Sequence, residues 1–190
     1  MKRVAVISTA SGNGKTTVAT ALAARLDVPY YELDALHHGP NWAEPPLEEF
    51  RARVEAVVRS ESWVIDGAYR GKLGDLVFGG AELVVWLDLP LHVWLPRLVR
   101  RTIRRVARGE ALWAGNRETL RDALHPQNSV VFYALRKYRQ ARRTYAAELA
   151  GFPLVRLCTQ REVDDFLKRD LSSATQAAAR NPSQIGVKST

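Results

Sequence analysis

The chain has one cysteine, Cys158, which excludes an internal disulfide framework and every multi-cysteine zinc site. It has no uncharged apolar stretch near the ~20 residues that a membrane-spanning helix needs. Met1-Lys2-Arg3 runs straight into a strand-like segment, without the pattern of a secretory leader. These absences set the expectation of a cytoplasmic protein with no membrane partner. There is also no internal repeat, no helix-turn-helix, no zinc finger and no aromatic RNA-binding signature. The 190 residues suit a single domain with a proper core, expected over residues 1–171. From Ser172 onward the Ser/Ala/Gln/Thr-rich tail lacks an apolar pattern able to offset its ordering entropy, so 172–190 is expected to be disordered.

Charge is abundant and uneven. The net charge is +8, yet the segment from Arg97 to Arg143 alone holds thirteen Lys/Arg against Glu110, Glu118 and Asp122, a surplus of ten. The remainder is slightly acidic. A basic block of this kind can hold nucleic acid, hold small polyphosphates, or form a solvated face.

The strongest local signal is Thr9–Thr17, T-A-S-G-N-G-K-T-T, directly after the apolar run Val4-Ala5-Val6-Ile7. A polyphosphate needs backbone N–H groups aimed at it from close range, and Gly12 and Gly14 can take the positive φ values such a cradle requires. Ser11, Gly12, Asn13, Gly14, Lys15, Thr16 and Thr17 are therefore the expected nucleotide-binding residues. Lys15 would supply charge to the β/γ-phosphates and Thr16 a hydroxyl to Mg²⁺. The helix that follows would point its positive dipole end at the same anion. The pattern departs from G-x-x-x-x-G-K-[ST] at one place, Thr9, where the first glycine would stand. The expected ligands are ATP and Mg²⁺.

Five β-like runs alternate with helical ones. The strands are expected at Val4–Ser8, Pro29–Leu33, Trp63–Ile65, Leu83–Leu87 and Leu154–Leu157. The helices are expected at Lys15–Leu26, Leu47–Ser60, His92–Arg108 and about Ser129–Leu149. Such alternation predicts an α/β fold with a parallel sheet and helices on both faces. Ligands in such sheets bind beyond the carboxyl ends of the strands, which singles out Asp34, Asp66 and Asp88 besides the glycine-rich loop. Gly109 through Asn128 has no clear period and reads as a mobile excursion between two basic helices.

Trp63-Val64-Ile65-Asp66-Gly67 is an apolar strand ending in a carboxylate, with Arg70 four residues beyond Asp66. Asp66 could hold Mg²⁺ through water, and Arg70 could fork onto a phosphate or carboxylate. Asp34 would face Lys15 across the cleft and orient or deprotonate a hydroxyl acceptor. Arg97, Arg101 and Arg105 form one stripe of a helix and Arg100, Arg104 and Arg108 another, with Val99, Ile103 and Val106 on the apolar side. Neighbouring histidines in a strand or helix point apart, so His37-His38 argues against a metal site. Trp42, Trp94 and Trp113 line a pocket or pack.

The glycine-rich loop, Asp-Gly-x-x-Arg, and V-V-W-L-D-L-P followed by R-L-V-R-R resemble the adenylate kinase-like P-loop kinases of nucleoside monophosphates and small molecules. L-D-A-L-H-H-x-P-x-W, W-V-I-D-G-A-Y and the G-N-R-E of Gly115–Glu118 resemble the bacterial topology modulation proteins, a branch of that group. The similarity covers about residues 3–168. It implies five parallel strands in the order 2-3-1-4-5 and a helical lid, about residues 109–128, that closes over ATP. It also implies that Asp66 is the Mg²⁺-water aspartate, that Arg70 reaches phosphate, and that Arg97 and Arg101 contact ATP. Arg136, Arg139 or Arg142 would be a lid-side phosphate ligand, and the loop Cys158–Glu162 would lie against the adenine. The stretch 34–46 lacks an AMP-pocket pattern, with His37, His38 and Trp42 in its place. The implied function is a Mg·ATP-dependent kinase with Lys15, Asp34, Arg70 and Arg101 as catalytic residues. Its partners are a nucleoside triphosphate and a small-molecule phosphate acceptor left open. The alternative is a nucleotide-dependent DNA-binding protein with ATPase activity.

Overall fold

A computed structural model describes residues 1–116 and 130–169. Five parallel strands stand in the spatial order β2-β3-β1-β4-β5: β1 (Arg3–Ser8), β2 (Tyr30–Glu32), β3 (Trp63–Asp66), β4 (Leu83–Leu87) and β5 (Leu154–Leu157). The expected order is borne out. The helices are α1 (Lys15–Leu26), α2 (Leu33–His37), α3 (Leu47–Val58), α4 (Arg70–Leu73), α5 (Leu76–Gly80), α6 (Leu91–Arg108), α7 (Val130–Glu148) and α8 (Gln160–Lys168). Two 3-10 turns, Pro40–Trp42 and Trp113–Gly115, complete the described elements.

The sheet is buried on both faces, so its central strands read as continuous apolar runs rather than alternating ones. Strand geometry then divides each run between two cores. Val4 and Val6 of β1 pack with Val18, Leu22 and Phe166 on one face. Ala5 and Ile7 pack with Phe50, Val54 and Trp86 on the other. A third cluster joins Ala10 of the glycine-rich loop to Trp94 and Leu98 of α6 and Ala134 of α7. Trp94 is thus a packing residue that seats the basic helix on the loop.

Several expectations need correction. Short helices α2, α4, α5 and α8 stand where the periodicity was too brief to read. Of the expected loop Cys158–Glu162 only Cys158 and Thr159 lie outside a helix: Thr159 caps α8 in a capping box with Glu162, whose carboxylate also accepts from the Cys158 amide. On α6, Ile103 is 63% exposed and Val99 is exposed as well, so the apolar face ends near Leu98. The tail 172–190 and most of the expected lid, 117–128, lie outside the described residues.

Candidate functional site

The glycine-rich loop leaves β1 at the middle of the sheet, between the ends of β3 and β4. Gly12 has φ +89°, and a Cβ there would lie 2.6 Å from the Trp94 carbonyl oxygen on α6, so only glycine fits. Gly14, at φ +87°, starts α1 in the left-handed region. The start of α1 has no side-chain cap and no acidic residue in its first turn. Its N–H groups and dipole are left to an external anion, the arrangement that binds phosphate. Asn13 holds the loop from behind: its side chain is buried, donating to the Ala10 carbonyl at 2.8 Å and accepting from the Leu89 amide at 3.2 Å.

Thr9 stands where the motif has glycine, and the structure gives it a task. Its hydroxyl donates to Asp88 Oδ1 at 2.8 Å and accepts from the Trp86 indole N–H at 2.9 Å. The loop is thereby fastened to the exit of β4. Asp88, 1% exposed, also receives Arg142 of α7 at 2.9 Å and Arg156 of β5, whose guanidinium lies 4.3 Å from the Trp86 ring centroid. Arg142 is therefore committed to Asp88. Arg136 is exposed, and the Arg139 side chain lies outside the described set.

On the other flank of the loop, Asp66 ends β3 fully buried. Lys15 forms an ion pair with its Oδ1, Thr16 donates to its Oδ2 at 2.8 Å, and the Tyr30 hydroxyl donates to the same oxygen at 3.1 Å. Burial raises the Tyr30 pKa to about 12, with Glu32 adding to the effect, so the hydroxyl stays a donor. Burial lowers the Lys15 pKa, and Arg101 adds to this, while Asp34 and Glu32 oppose it. A hydroxyl and a carboxylate converge here beside the loop. That donor set suits Mg²⁺ held by Thr16 directly and by Asp66 through water.

These groups open into a cleft of about 1090 Å³. Ser11, Gly12, Gly14, Lys15, Thr16 and Thr17 line its floor, and Arg97, Arg101 and Arg105 of α6 line one wall. Arg100, Arg104 and Arg108 are exposed on the outer side of α6, with Arg104 pairing to Glu110 at 3.3 Å. The opposite wall carries Glu32, Asp34, His38 and Trp42. Asp34 accepts from the Tyr69 hydroxyl at 2.6 Å, and burial followed by the Asp34 charge raises the Tyr69 pKa. Asp34 sits in the first turn of α2, whose N-cap is Glu32.

Arg70 is not brought into this arrangement. It forms ion pairs with Asp75 at 2.7 Å and Glu148 at 2.5 Å, and it is absent from the cleft lining. The histidine pair also departs from expectation. His37 ends α2 while His38 is already extended, so their rings meet edge to face at 4.8 Å. His37 is buried beside Lys72, and His38 faces the cleft. No group of three or more His, Cys, Asp or Glu able to hold a metal occurs among the described residues.

The start of the excursion after α6 crosses the cleft mouth, a docking the sequence did not announce. Asn116 accepts from the Trp42 amide at 3.0 Å and donates to the Gly39 carbonyl at 2.9 Å. Trp113 donates its indole N–H to Glu32 at 2.9 Å and stacks on His38. The legible hint was a single tryptophan in each of the two segments, Trp42 and Trp113.

No protein-family model and no curated protein matches the chain. Solved structures do. A shikimate kinase from Bacteroides thetaiotaomicron is similar over 92% of this chain and 98% of its own, with 17% identity and a TM-score of 0.56. A gluconokinase from Sinorhizobium meliloti 1021 is similar over 94% of both chains, with 19% identity and a TM-score of 0.53. A shikimate kinase from Acinetobacter baumannii, solved in complex with shikimate, covers 93% of this chain and 95% of its own at 14% identity and a TM-score of 0.51. The strand order, the loop leaving the central strand and these neighbours together establish that the chain has the P-loop kinase fold.

Proposed function

We propose that the protein is a Mg·ATP-dependent phosphotransferase acting on a small hydroxylated acceptor. The observation that carries this reading is one cleft holding an uncapped helix N-terminus with Lys15 and Thr16 at one end and Asp34 at the other. Backbone amides of the loop from Ser11 to Thr16, with Lys15, cradle the β- and γ-phosphates. Asn13 contributes through its backbone. Mg²⁺, held by Thr16 and through water by Asp66, would supply charge neutralisation for the phosphate oxygens. Asp34, oriented by Tyr69, positions the acceptor hydroxyl and takes its proton. A P–O bond forms to the acceptor oxygen as the bond to ADP's β-phosphate oxygen breaks.

Arg97 and Arg101 face the charge that spreads over the transferred group. Preorganised cations in a cleft that excludes water are the main source of rate in this chemistry. A lid over about 109–128 would exclude water that otherwise wastes ATP. A catalytic part for Arg70 requires it to leave Asp75 and Glu148, and we assign it instead to anchoring α4 on the end of α7. Calorimetry with Mg·ATP tests the reading: well-folded protein showing no heat of association would overturn it.

The competing reading is a nucleotide-dependent DNA-binding protein, favoured by the exposed outer stripe Arg100, Arg104 and Arg108. Binding of that kind falls steeply with salt. A salt-titrated mobility-shift assay with and without ATP separates the two, and tight DNA binding without acceptor phosphorylation would favour the rival.

A further inference from the structure

Resting on the phosphotransfer reading, the cleft also speaks to the acceptor. Its two ends differ in charge. The cations lie on the floor and on the α6 wall, where Lys15 and Arg101 stand close enough for Arg101 to disfavour the lysine's charge. The facing wall, built by β2, α2 and the Pro40–Trp42 turn, contributes Glu32, Asp34, His38 and Trp42 and no lysine or arginine. An acceptor seated on this wall with its own anionic group would lay that group against two carboxylates, with the cations among the described lining residues all on the floor and the α6 wall. Carboxylates are acceptors only, and hydroxyl groups are their natural uncharged donors.

The mouth of the same wall is aromatic. Trp42 and Trp113 meet edge to face with centroids 6.4 Å apart, and His38 stacks on Trp113 at 5.6 Å. Trp42 nevertheless remains 39% exposed. Asn41, Trp42 and Ala114 all have φ between +54° and +59°, in the two turns that meet here. A bulky residue in the left-handed region is unusual, and such strain persists only where the surroundings over-determine it. Here the bridging Asn116 and the Trp113–Glu32 bond hold both turns in place. The result is a flat, partly open apolar face in the same cleft as the Asp34 and Glu32 carboxylates.

We infer that the acceptor is an uncharged ring compound bearing adjacent hydroxyls, seated against Trp42 and Trp113 with its hydroxyls on Asp34 and Glu32. That chemistry has two sources, a free sugar or cyclitol and the ribose of a nucleoside whose base stacks on the tryptophans. The transfer is the one described above, with γ-phosphoryl going to a ring hydroxyl oxygen and the hydroxyl proton to Asp34.

The test uses the full chain. Calorimetry with Mg·ADP first establishes the nucleotide site. ADP release is then measured with Mg·ATP against D-glucose and myo-inositol, against adenosine and cytidine, and against the anionic D-gluconate, shikimate and AMP, with phosphorus NMR identifying the product. The expected result is at least tenfold stimulation over hydrolysis by an uncharged compound, the active arm naming the source, and less than twofold by the anions. Trp113→Ala should raise the KM of that compound at least tenfold while kcat falls far less. Trp113→Phe, which keeps an aromatic face but loses the N–H to Glu32, should bring the KM part of the way back. If nucleotide binds and an anion is the best acceptor, or no uncharged compound is turned over, the inference is overturned while the nucleotide site stands. If nucleotide does not bind, the phosphotransfer reading itself has failed.

Discussion

Two aspartates flank the glycine-rich loop, each at the end of an apolar strand and each almost wholly buried, and they do opposite things. Asp66 ends β3 and meets groups that a ligand can reclaim: the Lys15 amine, the Thr16 hydroxyl and the Tyr30 phenol. Asp88 follows β4 and meets groups that stay: Thr9, Arg142 and Arg156. Local sequence does not separate them, since V-I-D and W-L-D both read as strand followed by carboxylate. Partners do. A carboxylate held by two guanidinium groups from α7 and β5 is a fastening, because planar bidentate donors fix both their own position and its own. A carboxylate held by a lysine and two hydroxyls beside an uncapped helix start is poised for exchange with a cation.

The contrast can be broken by substitution. Lys15→Ala should reduce kcat/KM by roughly 10³-fold or more, because on the proposed reading the lost interaction is with transferred phosphate. Its loss of stability should be smaller than that of Asp88→Ala because the Thr16 and Tyr30 hydroxyls still serve Asp66. A steady-state ADP-release assay beside a thermal melt checks both halves, and normal turnover in that variant would contradict the scheme. Asp66→Asn should behave in the same way but less severely.

Asp88→Ala should do the reverse, costing stability first. Breaking a fully buried ion pair costs ~3–5 kcal/mol. Arg142 and Arg156 keep 41% and 35% of their side-chain surface exposed, so about 2–3 kcal/mol is expected after screening by water. Chemical denaturation measures it, and a variant as stable as wild type would remove the fastening from the account.

Thr9→Gly restores the motif glycine and should sharpen the comparison by weakening only the Asp88 side. The Trp86 indole and one Asp88 oxygen each lose a buried partner, so a loss of ~1–3 kcal/mol is expected, with nucleotide affinity changed less than tenfold by calorimetry. A large gain in affinity would mean that the threonine distorts the cradle rather than tethering it.

The smallest effect concerns His37, whose pKa is lowered by burial, then by the Lys72 charge, with Glu44 opposing. Its folded value lies below the ordinary imidazole value of 6.5, so above pH 6.5 both folded and unfolded states are neutral and stability is unaffected. As pH falls below 6.5 the unfolded chain takes up the proton first, and stability declines until the folded value is reached. Melting temperatures between pH 5 and 7.5 should show this decline in wild type and a flatter profile in His37→Gln.

Much of this was legible in advance. The loop, Asp66 and the Arg97–Arg101–Arg105 stripe could be placed because strand, loop and helix signals are local and consecutive. Arg70 could not be placed, because its partners Asp75 and Glu148 depend on where α7 ends against α4. The exposure of Ile103 is not legible in the sequence for a related reason: the helical period shows which residues share a face, but not what, if anything, covers it.

The amino-acid sequence by itself determined the five-stranded α/β order of elements, the glycine-rich loop after the first strand and the sign of charge around it, all of which follow from short-range backbone preferences and periodicity. Tertiary structure alone decided that Asp88 is held by two arginines and Asp66 by a lysine and two hydroxyls, that Thr9 bonds Asp88, and that Trp113 and Asn116 close onto the turn at Pro40–Trp42. Those outcomes come mostly from contacts between residues some 50 to 80 positions apart, where pairing is set by packing in space rather than by any pattern along the chain.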